Sequence, residues 1–305
     1  MKIGALTDIH GADISTVAKD FKMEQVPLIL FLGDFLGYGY PLDPKKLKKM
    51  KPEEQRQVIA EARYKMAKEV LAPLTSLNAQ ILTIRGNMDS GYSGIMQRLI
   101  EEYHNLVDME TRDGFESNGI TFFKYVSDQM PRSFGIKKDK LSKEAVNAIL
   151  AEERQKLLNS LMTCKGPKIL MSHHPPHGYG DVFQKTDYYF ERTTGRRIDD
   201  AEAKRLGMKL YNKKKYGEVL KNANAGDEYL AGLIEEALPT AVVFGHMHEN
   251  NEFSSAALEI GTKKPIKPGE VVKSLTLNTG PAMKNCYALL HPEENGSIWY
   301  ELSKY

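Results

Sequence analysis

One pattern recurs along the chain: a short apolar run is followed at once by polar residues. The runs cover residues 3–6, 28–32, 81–84, 169–171 and 241–244. Because they are short and have no polar face, they predict strands that are buried on both sides. Helical patterns lie between or after the runs, at residues 52–77, 93–103, 142–161 and 227–238. Asp227 is the predicted N-cap of the last helix. Alternating strands and helices predict an α/β core.

The C-terminal part of the chain follows a different pattern. Strand candidates at residues 274–278, 286–290 and 297–302 are separated by turns with Gly or Pro that leave no room for a helix. This spacing predicts an antiparallel end to the fold. Residues 177–226, which are rich in Tyr and Arg, break the regular pattern and predict an insertion or lid. We therefore expect a single domain over residues 1–305 that carries this insertion.

Composition and charge narrow the functional classes. The chain has 305 residues, of which 41% are hydrophobic and 27% charged, as in globular proteins and unlike fibrous or disordered chains. The 42 basic and 40 acidic residues leave a formal net charge of +2, which argues against a protein that coats nucleic acid, although a local contact stays open. Two distant cysteines and the lack of an apolar run long enough for a membrane helix predict a cytoplasmic protein with no membrane partner.

Side chains that can bind metals follow each of the five apolar runs. Asp8 and His10 are two positions apart, and so are His246 and His248. Residues with this spacing on an extended backbone point to the same side. The remaining three runs are followed by Asp34, Asn87 and His173. Because ligands bind at the carboxyl ends of strands in α/β sheets, these seven residues predict a metal site at that edge.

With these residues in place, the sequence resembles the calcineurin-like metallophosphoesterase superfamily. The matching motifs span residues 1–250 and are Asp8-Ile9-His10, Gly33-Asp34-Phe35, Gly86-Asn87-Met88-Asp89, His173-His174-Pro175-Pro176 and Gly245-His246-Met247-His248. The stretch at residues 278–282 is a weaker match to a turn that follows the last motif in many relatives. The resemblance implies an α/β fold, the four-layer α/β/β/α metallophosphoesterase sandwich of two mixed sheets.

The resemblance also implies a dinuclear metal centre. One ion would be bound by Asp8, His10, Asp34 and His248, and the other by Asp34, Asn87, His173 and His246, so that Asp34 bridges the two. Two such ions make hydroxide from a shared water, and this bridging hydroxide attacks phosphorus in line. Carboxylate and imidazole ligands suit manganese, iron, zinc or nickel, whereas magnesium prefers oxygen ligands. The expected cofactor is therefore two divalent transition-metal ions, whose identity stays open.

One position departs from the motif of most relatives. Met88 stands where they carry a histidine that acts on the leaving group, and in this the chain resembles a subgroup of bacterial and archaeal phosphodiesterases. Methionine cannot donate a proton, so His174 and His177 are candidate substitute acids. Asn87 and Asp89 are the predicted catalytic residues. Asp89 either orients Asn87 by a hydrogen bond or only caps the following helix.

These observations predict a metal-dependent phosphoric ester hydrolase that acts on a small phosphorylated substrate. A phosphodiester is the preferred substrate, and a phosphomonoesterase of the same fold is the main alternative. A nuclease is disfavoured by the near-zero net charge. A non-catalytic scaffold is disfavoured because all seven ligand positions hold competent donors. The sequence identifies neither the substrate nor the oligomeric state.

Overall fold

The structure is a computed structural model and describes most of the chain. The described residues are 1–36, 44–87, 89, 93–125, 143–181, 188–190, 197–199, 226–246 and 256–303. The strands are β1 (Ile3–Leu6), β2 (Leu28–Phe31), β3 (Gln80–Thr83), β4 (Leu106–Asp108), β5 (Phe115–Ser117), β6 (Ile120–Tyr125), β7 (Lys168–Ser172), β8 (Tyr188–Phe190), β9 (Arg197–Asp199), β10 (Ala241–Phe244), β11 (Ala257–Glu259), β12 (Pro265–Ile266), β13 (Leu275–Asn278), β14 (Ala288–Pro292) and β15 (Ile298–Leu302). The α-helices are α1 (Ser15–Met23), α2 (Pro44–Leu47), α3 (Pro52–Thr75), α4 (Ser93–Glu102), α5 (Lys143–Thr163) and α6 (Glu228–Ala237). None of these described helices is long and apolar enough to cross a membrane.

The strands form two mixed sheets and a small hairpin. The six-stranded sheet has the order β15-β14-β1-β2-β3-β4, in which β1 to β4 are parallel and β14 is antiparallel to both neighbours. The seven-stranded sheet has the order β12-β11-β13-β10-β7-β6-β5, in which β13, β10, β7 and β6 are parallel. β8 and β9 pair as a separate antiparallel hairpin. The parallel strands of each sheet therefore end at one common edge.

Three apolar cores separate four layers. The central core lies between the sheets and takes alternate residues of each strand, such as Ile3 and Ala5 in β1 and Val243 in β10. Leu6 on the opposite face of β1 packs with α1, α3 and α4, whereas Val242 on the opposite face of β10 packs with α5 and α6. Both faces of these strands are buried, which explains the unbroken apolar runs in the sequence. The predicted α/β/β/α sandwich of two mixed sheets is confirmed.

The predicted helices are confirmed with small shifts at their ends, but one prediction about the strands holds only in part. As expected, Asp227 caps α6, because its Oδ1 accepts hydrogen bonds from Tyr229 N (2.9 Å) and Leu230 N (3.0 Å). The antiparallel end holds for β14 and β15, whereas β13 is antiparallel to β11 but parallel to β10. The chain between β10 and β13, which includes β11 and β12, returns to the edge where β10 begins. These two strands are too short to be recognised in the sequence, and α1 and β4 to β6 are also absent from the predicted elements.

The stretch predicted as an insertion leaves and re-enters the fold at one place. His177 N donates a hydrogen bond to Asp227 O (3.1 Å), and Pro176 forms an isolated β-bridge with Asp227. Between these points the structure describes residues 177–181, Gly226 and the hairpin of β8 and β9. The rest of the predicted insertion lies outside the described residues.

Candidate metal centre

Six of the seven predicted metal ligands lie in loops at the carboxyl edges of the two sheets. Asp8 and His10 follow β1, Asp34 follows β2, Asn87 follows β3, His173 follows β7 and His246 follows β10. Hydrogen bonds join the two sets of loops. His173 Nδ1 donates to Leu32 O (2.8 Å), and His246 N donates to Asp8 Oδ2 (2.8 Å). The two edges therefore face each other across the site. His248, the seventh predicted ligand, and Met88 lie outside the described residues.

The backbone of four of these ligands is left-handed. Their φ angles are 54° (Asp8), 49° (His10), 56° (Asp34) and 66° (His246). This conformation costs a non-glycine residue about 1–3 kcal/mol and persists where the surrounding structure fixes it. Here the loops after β1 and β2 fix each other. Asp8 N donates to Gly33 O, and His10 N donates to Asp34 O, both at 3.0 Å. Backbone strain of this kind concentrates at functional sites.

Two glycines allow the loops to approach closely. A Cβ at Gly86 would lie 2.0 Å from Asp34 Oδ1 and 2.4 Å from Asp34 N. A Cβ at Gly245 would lie 2.2 Å from Thr7 Cγ2 and 2.6 Å from Asp8 Oδ2. A side chain at either position would therefore displace a carboxylate of the site. This explains why a glycine precedes a predicted ligand in both motifs.

Asp34 belongs to two groups of metal-binding atoms. Ligand atoms of Asp8, His10 and Asp34 lie within 4.8 Å of one another, and so do ligand atoms of Asp34, His173 and His246. In the first group, His10 Nε2 is 3.5 Å from Asp8 Oδ1. In the second group, His173 Nε2 is 3.3 Å from Asp34 Oδ2. Asn87 Oδ1 lies 2.9 Å from the same His173 nitrogen. Two donor groups around one shared carboxylate are what a dinuclear site requires.

The carboxylates of the site raise the pKa values of two neighbouring histidines. Burial lowers the pKa of His173, but the neighbouring Asp34 carboxylate outweighs burial and raises this pKa to about 9. The pKa of His10 is likewise raised, against the effect of burial, by Asp8 and Asp34. The His173 ring is held in orientation, because Nδ1 donates to Leu32 O while Nε2 faces the carboxylate. The histidines of the site therefore bind protons readily, and a metal ion that binds there would displace these protons. The residues present thus fit a metal centre.

Asp89, a predicted catalytic residue, is fully buried behind the ligands. Its carboxylate accepts hydrogen bonds from Asp34 N (2.6 Å), Gly86 N (3.0 Å) and Leu36 N (3.4 Å). Burial, together with the charge of Asp34, raises the pKa of Asp89 to about 7. These hydrogen bonds join the loop after β2 to the loop after β3. These contacts correspond to positioning of the two loops.

The two histidines considered as substitute acids lie in different environments. His174 is 1% exposed and packs beside His246, with ring centroids 4.4 Å apart. Burial, followed by the neighbouring imidazoles of His246 and His173, holds the pKa of His174 well below its usual range. The side chain of His177 is 39% exposed, and its Nδ1 lies 3.4 Å from Asp181 Oδ2. His174 is therefore part of the wall of the metal centre, whereas His177 is paired with an acid at the start of the predicted insertion.

The turn after β13 contributes to the site from outside the ligand motifs. Ala282 N donates to Thr7 O (2.7 Å), and Met283 N donates to Asp8 O (3.3 Å). The turn therefore covers the loop that carries the first pair of ligands. The weak match over residues 278–282 is the sequence signal that points to this contact.

Two mixed sheets whose facing edges gather carboxylates and imidazoles around a shared aspartate define a metallophosphoesterase. The sequence profile of the calcineurin-like phosphoesterases matches residues 1–250. The chain belongs to this family and is therefore a metal-dependent phosphoric ester hydrolase. The match includes all seven predicted ligands, from Asp8 to His248.

The solved structures to which this chain is similar have low sequence identity to it. One crystal structure is 11% identical with a TM-score of 0.58, and the superposition covers 100% of this chain and 98% of that chain. A dimetal phosphatase from Danio rerio is 9% identical with a TM-score of 0.47, covering 95% of this chain and 92% of that chain. A 5′-nucleotidase precursor from Thermus thermophilus is 12% identical with a TM-score of 0.44, covering 99% of this chain and 54% of that chain. No curated protein matches the sequence significantly.

Proposed function

We propose that the site binds two divalent metal ions that share Asp34. The first ion is held by Asp8, His10, Asp34 and His248, and the second by Asp34, Asn87, His173 and His246. The observation that carries the proposal is the membership of Asp34 in both described donor groups. A shared anionic oxygen reduces the repulsion between two cations held close together.

The residues of the chain have separate tasks in this proposal. When bound, the two cations supply Lewis acidity, which activates water and neutralises charge on phosphate oxygens. Asp34 supplies the shared negative charge, and Leu32 O keeps the His173 ring in orientation. Asn87 is a catalytic residue: its amide oxygen is a metal ligand, and its amide nitrogen can donate a hydrogen bond to a phosphate oxygen. Asp89 is a positioning residue, because its carboxylate holds the backbone N–H of Asp34.

We further propose that the substrate is a small phosphodiester. Met88 cannot protonate a departing alkoxide, so the enzyme should favour leaving groups that depart without a proton. The preference for diesters over monoesters is supported by the resemblance to phosphodiesterases that also lack a histidine at this position. A phosphomonoesterase is the alternative that the leaving-group series below separates from this one.

The ligand set favours manganese, iron, zinc or nickel over magnesium. Three of the proposed ligands that the structure describes are imidazoles, those of His10, His173 and His246, and His248 would add a fourth. Magnesium prefers oxygen ligands and water, whereas imidazole suits the transition metals. Stripping the protein with a chelator and returning one metal at a time tests this: activity should return with a transition metal, and restoration by magnesium alone would contradict the assignment.

We propose a single domain over residues 1–305 in which residues 177–226 form an insertion, or lid, beside the site. The contacts of Pro176 and His177 with Asp227 support this, because they bring the ends of the stretch together. A segment with adjacent ends can be shortened without breaking the domain. Replacing the stretch with a short Gly-Ser linker should leave the metal content unchanged and raise KM. Loss of folding in that variant would contradict the insertion.

We also propose a cytoplasmic enzyme whose partner is the small substrate and not a membrane or a nucleic acid. The two cysteines, Cys164 and Cys286, form no disulfide, as suits a reducing compartment. The net charge of +2 does not favour binding to a polyanion. Fractionation of cells that express the tagged full chain tests the location, and recovery with the membranes or outside the cell would contradict it.

The deciding experiment for the substrate class is a leaving-group series. Aryl phosphodiesters and aryl phosphomonoesters of graded leaving-group pKa are assayed on the metal-loaded wild type, on Met88→His and on the control Met88→Leu. We expect the wild type to hydrolyse diesters faster than monoesters, with a steep dependence on leaving-group pKa. Met88→His should flatten this dependence and raise monoester activity, whereas Met88→Leu should behave like the wild type. A flat wild-type series or faster monoester hydrolysis would contradict the proposal.

A further inference from the structure

Three side chains meet beside the loop that follows β7. They belong to Tyr125 at the end of β6, Arg154 in α5 and Asp227, which caps α6. Tyr125 and Asp227 are buried. The Tyr125 hydroxyl interacts with both the Asp227 carboxylate and the Arg154 guanidinium. We call these three residues the buried network.

The polar atoms of the buried network depend on one another. Tyr125 OH, Arg154 Nε and Nη2, and Asp227 Oδ2 are buried, and no described residue outside the network forms a hydrogen bond with them. Burial raises the pKa of Tyr125, and the charge of Asp227 raises it further, so the hydroxyl keeps its proton. The Arg154 guanidinium supplies positive charge near the buried carboxylate. Removing one member would therefore leave buried polar groups unsatisfied.

Arg154 is held against α6 by an aromatic ring. Its guanidinium carbon lies 3.8 Å from the ring centroid of Tyr229, in the first turn of α6, and 6.0 Å from that of Tyr125. Both distances are within the range of cation–π contacts. The buried network therefore joins β6, α5 and α6.

The backbone of the network holds the loop of His173 on both sides. Before this ligand, Tyr125 pairs with Ser172 in the register of β6 and β7. After it, Asp227 N donates a hydrogen bond to Pro175 O (2.9 Å). The contact between the side chains of Tyr125 and Asp227 thus closes a ring of contacts around the segment that carries His173.

We propose that Tyr125, Arg154 and Asp227 are positioning residues for the metal ion that His173 binds. This inference rests on the proposed metal centre. The network fixes the path of the loop, and the loop fixes where the His173 ring meets the ion. Residues that orient a metal ligand typically change metal affinity by about 10- to 100-fold when they are replaced. The other ion is bound mainly by loops of the six-stranded sheet, so its affinity should not depend on the network.

The test measures cobalt binding by visible absorption in variants of the full chain that each keep one ion. His10→Ala should retain the ion at His173, and His246→Ala should retain the other ion. Adding Tyr125→Phe, which removes only a hydroxyl, should raise the Kd of the His10→Ala variant for cobalt about tenfold or more. The same change should leave the Kd of the His246→Ala variant unchanged.

Two further variants separate positioning from general stability. Tyr300→Phe is the matched control, because it removes another buried hydroxyl, which donates to Ile266 O (2.9 Å). It should lower the thermal unfolding midpoint as Tyr125→Phe does, but leave both Kd values unchanged. Asp227→Ser keeps a side chain that can cap α6 and removes the carboxylate. It should therefore weaken the same ion as Tyr125→Phe.

The possible failures of this inference and of the metal centre are distinct. An equal change of Kd in the His10→Ala and His246→Ala variants, or no change in either, would overturn the positioning role while the metal centre stands. A selective loss of the same ion in Tyr300→Phe would also overturn it. A wild-type chain that binds no cobalt would contradict the metal centre itself, and this inference with it.

Discussion

The two sheets contribute different chemistry to the metal centre. The loops of the six-stranded sheet supply mostly oxygen donors among the proposed ligands, namely Asp8, Asp34 and Asn87, together with the imidazole of His10. The loops of the seven-stranded sheet supply imidazoles, namely His173 and His246. Negative charge is therefore concentrated on one sheet, and imidazole nitrogens on the other. Neither edge alone brings together both donor groups.

The two sets of loops are also held differently. The loops after β1 and β2 are joined to each other by backbone hydrogen bonds, including His10 N to Asp34 O and Gly11 N to Phe35 O, both at 3.0 Å. His173, by contrast, is oriented by a carbonyl of the opposite sheet. The six-stranded sheet therefore forms an anionic half whose loops bond to each other, and the other sheet adds contacts to it, such as the hydrogen bond from His246 N to Asp8 Oδ2. The following variants test this division.

The largest effect is expected from the carboxylate that both donor groups share. Asp34→Asn keeps the shape of the side chain but removes its charge, so at least one metal ion should be lost. Activity should fall by about 10³-fold or more, because a metal centre supplies several kcal/mol of transition-state stabilisation. The measurements are kcat/KM and metal content. Asp20→Asn is the control, since Asp20 bonds Tyr287 at the surface of α1. Wild-type turnover with two ions in Asp34→Asn would contradict the shared ligand.

Removing one imidazole from each half should remove different ions. His10→Ala and His246→Ala should each lower activity by about 10²-fold, because each leaves one of the two ions in place. Cobalt-loaded protein reports the remaining ion by its visible absorption, and we expect different spectra for the two variants. His248→Ala should resemble His10→Ala. Identical spectra for His10→Ala and His246→Ala would argue against separate ions.

A smaller effect is expected from the carboxylate that joins two loops of the anionic half. Asp89→Asn places an amide where three backbone N–H groups require an acceptor. Metal affinity should fall by about 10- to 100-fold, and the free energy of unfolding by about 1–3 kcal/mol. Metal titration and denaturant unfolding measure these changes. The exposed Asp113→Asn is the control, and equal effects in both variants would show that Asp89 has no special role.

The smallest effect is expected from a single methyl group at the loop contact. Gly86→Ala brings a Cβ to 2.0 Å from Asp34 Oδ1 and should lower the free energy of unfolding by about 1–3 kcal/mol. Gly232→Ala is the matched control, because its Cβ meets nothing within 4 Å in α6. That change should raise the free energy of unfolding by up to about 1 kcal/mol. Denaturant unfolding should thus give opposite signs, and a neutral Gly86→Ala would contradict the close contact.

Much of this site is predictable because its signals are local. Asp34 directly follows an apolar run, and a buried parallel strand necessarily ends at the edge where its neighbours end. The same reasoning predicts the convergence of Asn87 and His173. The role of two glycines is also predictable, because Gly86 and Gly245 stand directly before predicted ligands, where a side chain would be sterically unfavourable.

The remaining features depend on contacts between distant parts of the chain. The carbonyl of Leu32 orients His173. Because any residue supplies a backbone carbonyl, the identity of residue 32 does not indicate this contact. Asp89 bonds the backbone of Asp34 across 55 positions, whereas the local pattern suggests a hydrogen bond to Asn87 or a cap for the next helix. The direction of β13 depends on the path of the chain between β10 and β13. The apolar pattern of β13 itself does not predict this direction.

The most direct test of the central claim is electron paramagnetic resonance of the manganese-loaded full chain, together with its metal content. We predict two manganese ions per wild-type chain with the spectrum of an exchange-coupled pair, because Asp34 bridges them. In Asp34→Asn the coupling should disappear. A single ion per wild-type chain, or two ions without coupling, would contradict a metal centre shared through Asp34.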